Sequence, residues 1–502
     1  MRSLLLLALL AGRGFTAAAS AVETPAMDAL LRLSRSEAAT ADPLERAGGD
    51  AAADFDGARL RPGKKFATRF TDPFVWTAYK VDRALSPHRP FSRGPVITDV
   101  SSLRDQAARM TREIRSDFLV EDGKLFLYMK PMSLGDMDIW QGVYTALAVL
   151  QYTSDPSPEN EAYAENAFDG LRMMYAPGLP LLRGVLPDGV RNSDEKDPHY
   201  RREGGYQKLE DASIDSAAGW VFGMTFAAQR LPSRRRQAQE MLRRFADDLI
   251  ANGFSLKSSG GANTSQGDMG KGLVSPPPGV LLTMAALSQA AQSSTDPRYA
   301  DALDEFSAKR QDVWGAYASM PALWRNSTTN QNIGILALAS ALLSEQDPER
   351  WSIYAHGMVR MLKSIEPTGN SFWLYLSYWV FDRRPEMIAY CVADKDISEW
   401  MSRRAGVYAL AKKSLLEFSA SKCAKRTPRQ EAVCRYQDPV HWPLSGVKTN
   451  PQPVPMFCRP SDFDWQRNAY DVHDCEGKEF TGLDFLIAYS LALQDGAVTP
   501  AE

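Results

Sequence analysis

From Leu103 onward apolar residues recur at helical spacing. Leu103, Ala107, Met110, Ile114 and Phe118 form one stripe with polar residues between them, which predicts an amphipathic helix over 103–118. A short strand-like piece, Lys124 to Met129, follows. A helix of another kind then begins at Asp138 (DIWQGVYTALAVL), apolar nearly all round. The alternation recurs to the end of the chain. Buried-type helices are expected from Asp138, Ser213 (SIDSAAGWVFGMTFAA), Ser275 (SPPPGVLLTMAALSQA), Asn330 (NQNIGILALASALL), Asn370 (NSFWLYLSYWV) and Thr481 (TGLDFLIAYSLAL), six in all. Each opens with a residue whose side-chain oxygen satisfies free first-turn N–H groups. Amphipathic helices are expected near 158–174, 233–252, 298–316, 351–364 and 397–418, making six with the first. A helix that is apolar on every side must be covered on every side, whereas an amphipathic one keeps a face for water. Six of each in alternation predict two concentric layers, an all-α (α/α)6 toroid.

The flanks and composition bound the rest. Met1-Arg2, the apolar run Leu4 to Ala11 and the small-residue triplet Ala19-Ser20-Ala21 read as a signal peptide over 1–21, so an exported, periplasmic or extracellular protein is expected. Residues 22–60 read as a flexible leader and 61–99 as an N-terminal arm. Residues 100–495 form the toroid domain, with a cysteine-rich insertion at 421–478. The chain has 502 residues, 44% hydrophobic and 24% charged, with a net charge of −3, which argues against disorder and against nucleic acid as a main partner. No later stretch holds the roughly 18 uninterrupted apolar residues of a membrane span. The four cysteines of the insertion suit two disulfides, most economically Cys423–Cys434 and Cys458–Cys475, though four cysteines allow three connectivities; Cys391 is left free. His441 and His473 lie among them without metal-ligand spacing, so neither a metal nor another cofactor is expected.

The loops before the inner helices carry the candidate chemistry. One supplies Gly135-Asp136-Met137-Asp138 with Trp140 and Gln141 after it; the next supplies Glu210-Asp211-Ala212-Ser213-Ile214-Asp215, with Trp220 a turn further on. On this alternation and these acidic, aromatic loops, the chain resembles the six-hairpin glycosidase-like superfamily over roughly residues 100–495. The resemblance implies a carbohydrate-active protein, since glycoside hydrolases, uronate lyases and epimerases share that toroid.

Two carboxylates facing each other across a sugar groove are what glycoside hydrolysis requires. Asp136, Asp138, Glu210, Asp211 and Asp215 are the candidates, with Asp138 and Asp211 first. Helix capping accounts for one acid per helix, and leaves Asp136 beside Asp138, and Glu210, Asp211 and Asp215 together, to be explained. Trp140, Gln141, Trp220, Trp324, Arg325, Asn326, Asn330 and Trp373 are the candidates for holding a polysaccharide or oligosaccharide, through planar amides, Arg and aromatic faces. The Gly- and Ser-rich stretch 255–275 reads as a lid or a connector. His199, in DEKDPHYRRE, reads as a surface residue that would suit a lyase base. No G-x-S-x-G, H-E-x-x-H or dinucleotide fingerprint occurs. The expected function is a glycoside hydrolase. A uronate lyase or epimerase, and a non-catalytic glycan-binding or envelope scaffold, are the alternatives.

Overall fold

The structure, a computed structural model, describes residues 102–176, 178–271, 277–317, 328–417, 428, 440–441, 448–449, 458 and 479–502. The segments read from the sequence as signal peptide, leader and arm, and nearly all of the expected insertion, lie outside them. Of the four insertion cysteines only Cys458 is described, and it is buried. Cys391 is free and buried.

Fourteen helices dominate the described residues. In chain order they begin with α1 (Leu103–Asp117), the short strands β1 (Leu119–Val120), β2 (Leu125–Phe126) and β3 (Met129–Lys130), then α2 (Met137–Ser154) and α3 (Pro158–Met173). Three strands follow, β4 (Gly184–Pro187), β5 (Tyr200–Glu203) and β6 (Tyr206–Leu209), and then α4 (Ile214–Arg230) and α5 (Arg235–Ala251). The hairpin β7 (Ser255–Lys257) and β8 (Asn263–Asp268) leads into α6 (Pro277–Ser293), α7 (Arg298–Tyr317), α8 (Thr328–Ser344) and α9 (Pro348–Ile365). Next come α10 (Ser371–Asp382), α11 (Pro385–Tyr390), α12 (Lys395–Ser402) and α13 (Arg404–Glu417). After β9 (Val440–His441), β10 (Lys448–Thr449) and β11 (Glu479–Phe480), which pairs with β3, α14 (Leu483–Gln494) completes the series.

Two classes of helix are present, for the reason the pattern gave. In α10 every residue from Ser371 to Phe381 is buried, and in α4 every one from Ser216 to Ala228. By contrast α1 buries Leu103, Gln106, Ala107, Met110 and Ile114 and turns its charges outward. Each apolar side chain so enclosed contributes roughly 1.5–3 kcal/mol. Side-chain caps start several helices: Ser102 accepts from the Asp105 N–H, Asn370 from that of Trp373, and Ser213 and Ser216 form a reciprocal capping box.

The buried helices touch in succession. Helix α4 packs on α2, α6 and α8, α8 on α10, α10 on α14, and α14 returns to α2. Their C-terminal ends are bonded together. Gln494 donates to the Leu150 carbonyl at 3.0 Å and to Thr153 at 2.6 Å, and accepts from the Trp379 indole at 2.9 Å. Gln229 donates to the Leu343 carbonyl at 2.6 Å, and Ser288 to that of Ser344 at 2.7 Å. Since ends meet ends, α2, α4, α6, α8, α10 and α14 all run the same way, and their N-termini gather at the opposite pole. The two poles differ in their connections. At the C-terminal pole, turns of two to four residues lead from each of the first five buried helices to the next element. At the other, long segments such as 174–213 and 252–276 lead inward, and these carry the small sheets β4-β6-β5 and β7–β8.

Helices α2 and α4 approach more closely than side chains allow. A Cβ on Gly142 would stand 1.8 Å from the Gly219 carbonyl oxygen, and one on Gly219 would stand 2.1 Å from the Ile139 Cα.

Three expectations need correction. The segment 397–418 is broken into α12 and α13 at Arg403, where the Trp400 carbonyl accepts from the Arg403 N–H at 3.1 Å and from the Tyr378 hydroxyl at 2.7 Å. The stretch 255–275 is not a plain connector through 268: it forms the β7–β8 hairpin. Asp138 is not an N-cap: α2 starts at Met137, Asp136 holds the cap position without a side-chain cap bond, and Asp138 lies inside the first turn.

Candidate active site at the N-terminal pole

Arg183 organises the site. It lies in the segment between α3 and β4, and its backbone is fixed from both sides: its N–H donates to the Leu209 carbonyl at 2.8 Å, and its carbonyl accepts from the Asp138 N–H at 2.9 Å. Its Nε donates to the Gly135 carbonyl at 2.9 Å. The guanidinium is therefore held beside the start of α2, within electrostatic reach of Asp136, Asp211, Asp215 and Tyr128.

Asp136 and Asp215, from the starts of α2 and α4, come together here. No hydrogen bond from another side chain reaches either carboxyl among the described residues. Burial pushes Asp136 above the usual carboxylate range, with Arg183 opposing and Asp194 adding to the rise. Burial pushes Asp215 up to about 6, assisted by the charge of Asp136 and opposed by Arg183. Asp194 is itself fixed, accepting from the Leu134 N–H at 2.5 Å. Tyr128 completes the wall. It is fully buried, its ring tilts against Trp140 at 5.9 Å, and burial drives its hydroxyl well above the ordinary tyrosine value, with the charge of Asp136 next in effect.

The other expected acids have different surroundings. Asp211 sits at φ 62° in the left-handed region that non-glycine residues rarely adopt, and accepts from the Ser265 N–H at 2.9 Å and its hydroxyl at 2.7 Å. Burial works against its ionisation, but those bonds, with His199 and Arg183, hold it below the usual range. Glu210 is buried, pairs with Arg201 and accepts from Ser259 at 2.6 Å. Both therefore dock the β7–β8 hairpin over the pole. Asp138, one of the two first choices, is fully buried, and neither of its oxygens has a hydrogen-bond partner; burial alone raises it well above the carboxylate range.

Two expected substrate contacts belong to the core. The Gln141 amide is used up by the Phe126 N–H and the Lys124 and Ala167 carbonyls, at 2.8, 3.0 and 3.0 Å. Trp220 is fully buried, donates to the Leu171 carbonyl at 3.2 Å and packs on Tyr175 and Phe245. Trp140 is fully buried behind Tyr128. Trp373 is buried in the first turn of α10, and its indole N–H has no acceptor. Trp324, Arg325 and Asn326 lie outside the described residues, as does the side chain of Asn330, whose backbone is in α8. His199 is exposed, as expected.

Known proteins add nothing to this geometry. Comparison finds no matching family model, curated protein or solved structure. The site must be read from its own chemistry.

Sequence reasoning missed Arg183, Asp194 and Tyr128. Their signal was the length of the segment 174–213, which feeds the start of an inner helix and carries Arg183 and Asp194, the latter heading the run DEKDPHYRRE. Elsewhere, His356, Asp394 and Asp396 offer ligand atoms within 4.8 Å of one another in the outer layer. Lys363 at 2.9 Å and Arg360 at 3.5 Å from Asp396 already supply the positive charge there, so the group works as an ion-pair clasp between α9 and α12.

Proposed function

We propose that the chain is an exported glycan-active enzyme, a glycoside hydrolase built on an (α/α)6 toroid with a disulfide-stapled insertion. The observation that carries this reading is the Asp136–Asp215 pair: two carboxyls from neighbouring inner helices, free of hydrogen bonds from other described side chains, beside one guanidinium. The closed succession of parallel buried helices supports the toroid. No helix among the described residues is long and apolar enough to cross a membrane.

The chemistry follows from the difference between the two acids. Asp215, held up to about 6, keeps a proton to give to the glycosidic oxygen as the C–O bond breaks. Asp136, for which Arg183 is the foremost influence after burial, is the carboxylate that attacks the anomeric carbon or takes a proton from water. Glu210 and Asp211 hold the β7–β8 hairpin beside them.

Reducing-sugar release from a panel of neutral, acidic and amino-sugar polysaccharides tests the proposal. Asp136→Asn and Asp215→Asn should each lower the rate at least about 100-fold, the usual worth of acid–base catalysis. Activity of the intact protein should fall above about pH 6 as Asp215 loses its proton. No release from any polymer, or full activity in both variants, would exclude the hydrolase and leave a glycan-binding scaffold.

A further inference from the structure

The N-terminal pole is short of hydrogen-bond donors. Buried there in the first turns of the inner helices, or just before them, are the Gln331 and Asn332 carbonyl oxygens, the Thr481 hydroxyl and both oxygens of Asp138, none with a hydrogen-bond partner. They come from α2, α8 and the entry to α14. A buried polar atom without a partner costs free energy that a ligand restores on binding. The Gln331 and Asn332 amide oxygens can only accept, and the unpartnered Trp373 indole N–H is a lone donor among these groups. The carboxyls of Asp136 and Asp215 enlarge the same demand.

Charge points the same way. Asp136, Asp211 and Asp215 lie within electrostatic reach of Arg183, whose Nε is already committed to the Gly135 carbonyl, and Asp194 lies within reach of Asp136. Ionised, the four acids outnumber that one cation.

Resting on the glycan-hydrolase reading, we propose that the site takes chains of amine-bearing sugars, accepts uncharged sugars less well and rejects uronates. An ammonium group supplies both the missing donors and the missing positive charge. A hydroxyl supplies donors only, and a uronate carboxylate brings a further acceptor and a further negative charge.

The test is titration calorimetry of the mature protein with matched sets of glucosamine, glucose and glucuronate oligomers at low salt and pH 6.5, alongside an Asp136→Asn/Asp215→Asn variant shown to be folded by circular dichroism. Glucosamine oligomers should bind about tenfold more tightly than glucose oligomers, the worth of one modest charge pair, and glucuronate oligomers should not bind. In the double variant the preference should fall towards unity while glucose binding persists. Equal or tighter binding of glucuronate, or a preference untouched by the double variant, overturns the proposal. Cleavage of neutral oligomers without any amine preference overturns it too, yet leaves the hydrolase reading standing. Failure of every sugar class to bind removes both.

Discussion

The two poles of the inner helices are made of similar residues put to opposite use. At the C-terminal pole Gln229, Ser288, Gln292 and Gln494 are bonded to carbonyls of neighbouring helices, and the connecting turns are short. At the N-terminal pole Gln331, Asn332 and Thr481 are more deeply buried than those glutamines, yet keep oxygens without partners, and the segments leading in are mostly long. One pole holds the helices together; the other keeps its polar groups for something else. Buried polarity is thus a stability device where it is satisfied and a sign of a ligand where it is not.

The comparison can be broken first along the seam that joins the poles. Gly142→Ala should cost more than about 3 kcal/mol and abolish soluble yield, because the added methyl has only backbone to displace. A urea melt indistinguishable from the parent would refute the close approach of α2 and α4. At the N-terminal pole, Asp215→Asn should stabilise. The folded carboxyl keeps its proton to about 6, whereas in the unfolded chain it ionises near 3.8. Folded molecules therefore bind more protons across that window, and the contribution of Asp215 to stability falls as pH rises from about 4 to 6. The variant escapes that loss, a gain of up to about 3 kcal/mol at pH 7.5 and little at pH 3.5, read from melts at both. Equal gains at the two pH values would show that burial of its charge is not the cause.

At the sealed pole Gln494→Leu should destabilise by about 2 kcal/mol, since the Trp379 indole and the Leu150 carbonyl lose their partner. Thr481→Val, the matching loss of a polar group at the open pole, should change stability by no more than about 0.5 kcal/mol, because the hydroxyl is bonded to nothing. If the two substitutions cost the same in denaturant melts, the contrast between the poles fails.

Much of this arrangement was legible in the chain. Leu-, Trp- and Tyr-rich runs such as that of α10 cannot sit at a surface, and their alternation with striped helices such as α1 announced two classes of helix. What stayed hidden depended on distant partners. Nothing near Trp400 announces that its carbonyl will accept from the distant Tyr378 hydroxyl beside the break between α12 and α13. The polar hairpin strand Asn263–Asp268 lacks the β-branched alternation that marks a strand.

The site was half legible. Acids on the loops before two neighbouring inner helices were visible, but a shift of two positions in the cap of α2 exchanged the roles of Asp136 and Asp138. An all-apolar helix also gives no stripe to show which side faces the pole, so Gln141 and Trp220 were read as facing a ligand when both face the core. Arg183 belongs to no motif; only its bonds to Gly135, Leu209 and Asp138 reveal it.

The bonds of Gln494 have a consequence for the order of assembly. They join α14 to Leu150, 344 positions earlier in the chain. Bringing together segments so far apart carries a large loop-closure entropy, and local hairpins such as α2–α3 can form long before it is met. Until the chain has been synthesised past Gln494, the earlier helices form an open arc with apolar flanks exposed on α2 and α10. A chaperone that shields those two flanks during synthesis should therefore raise the yield of folded protein.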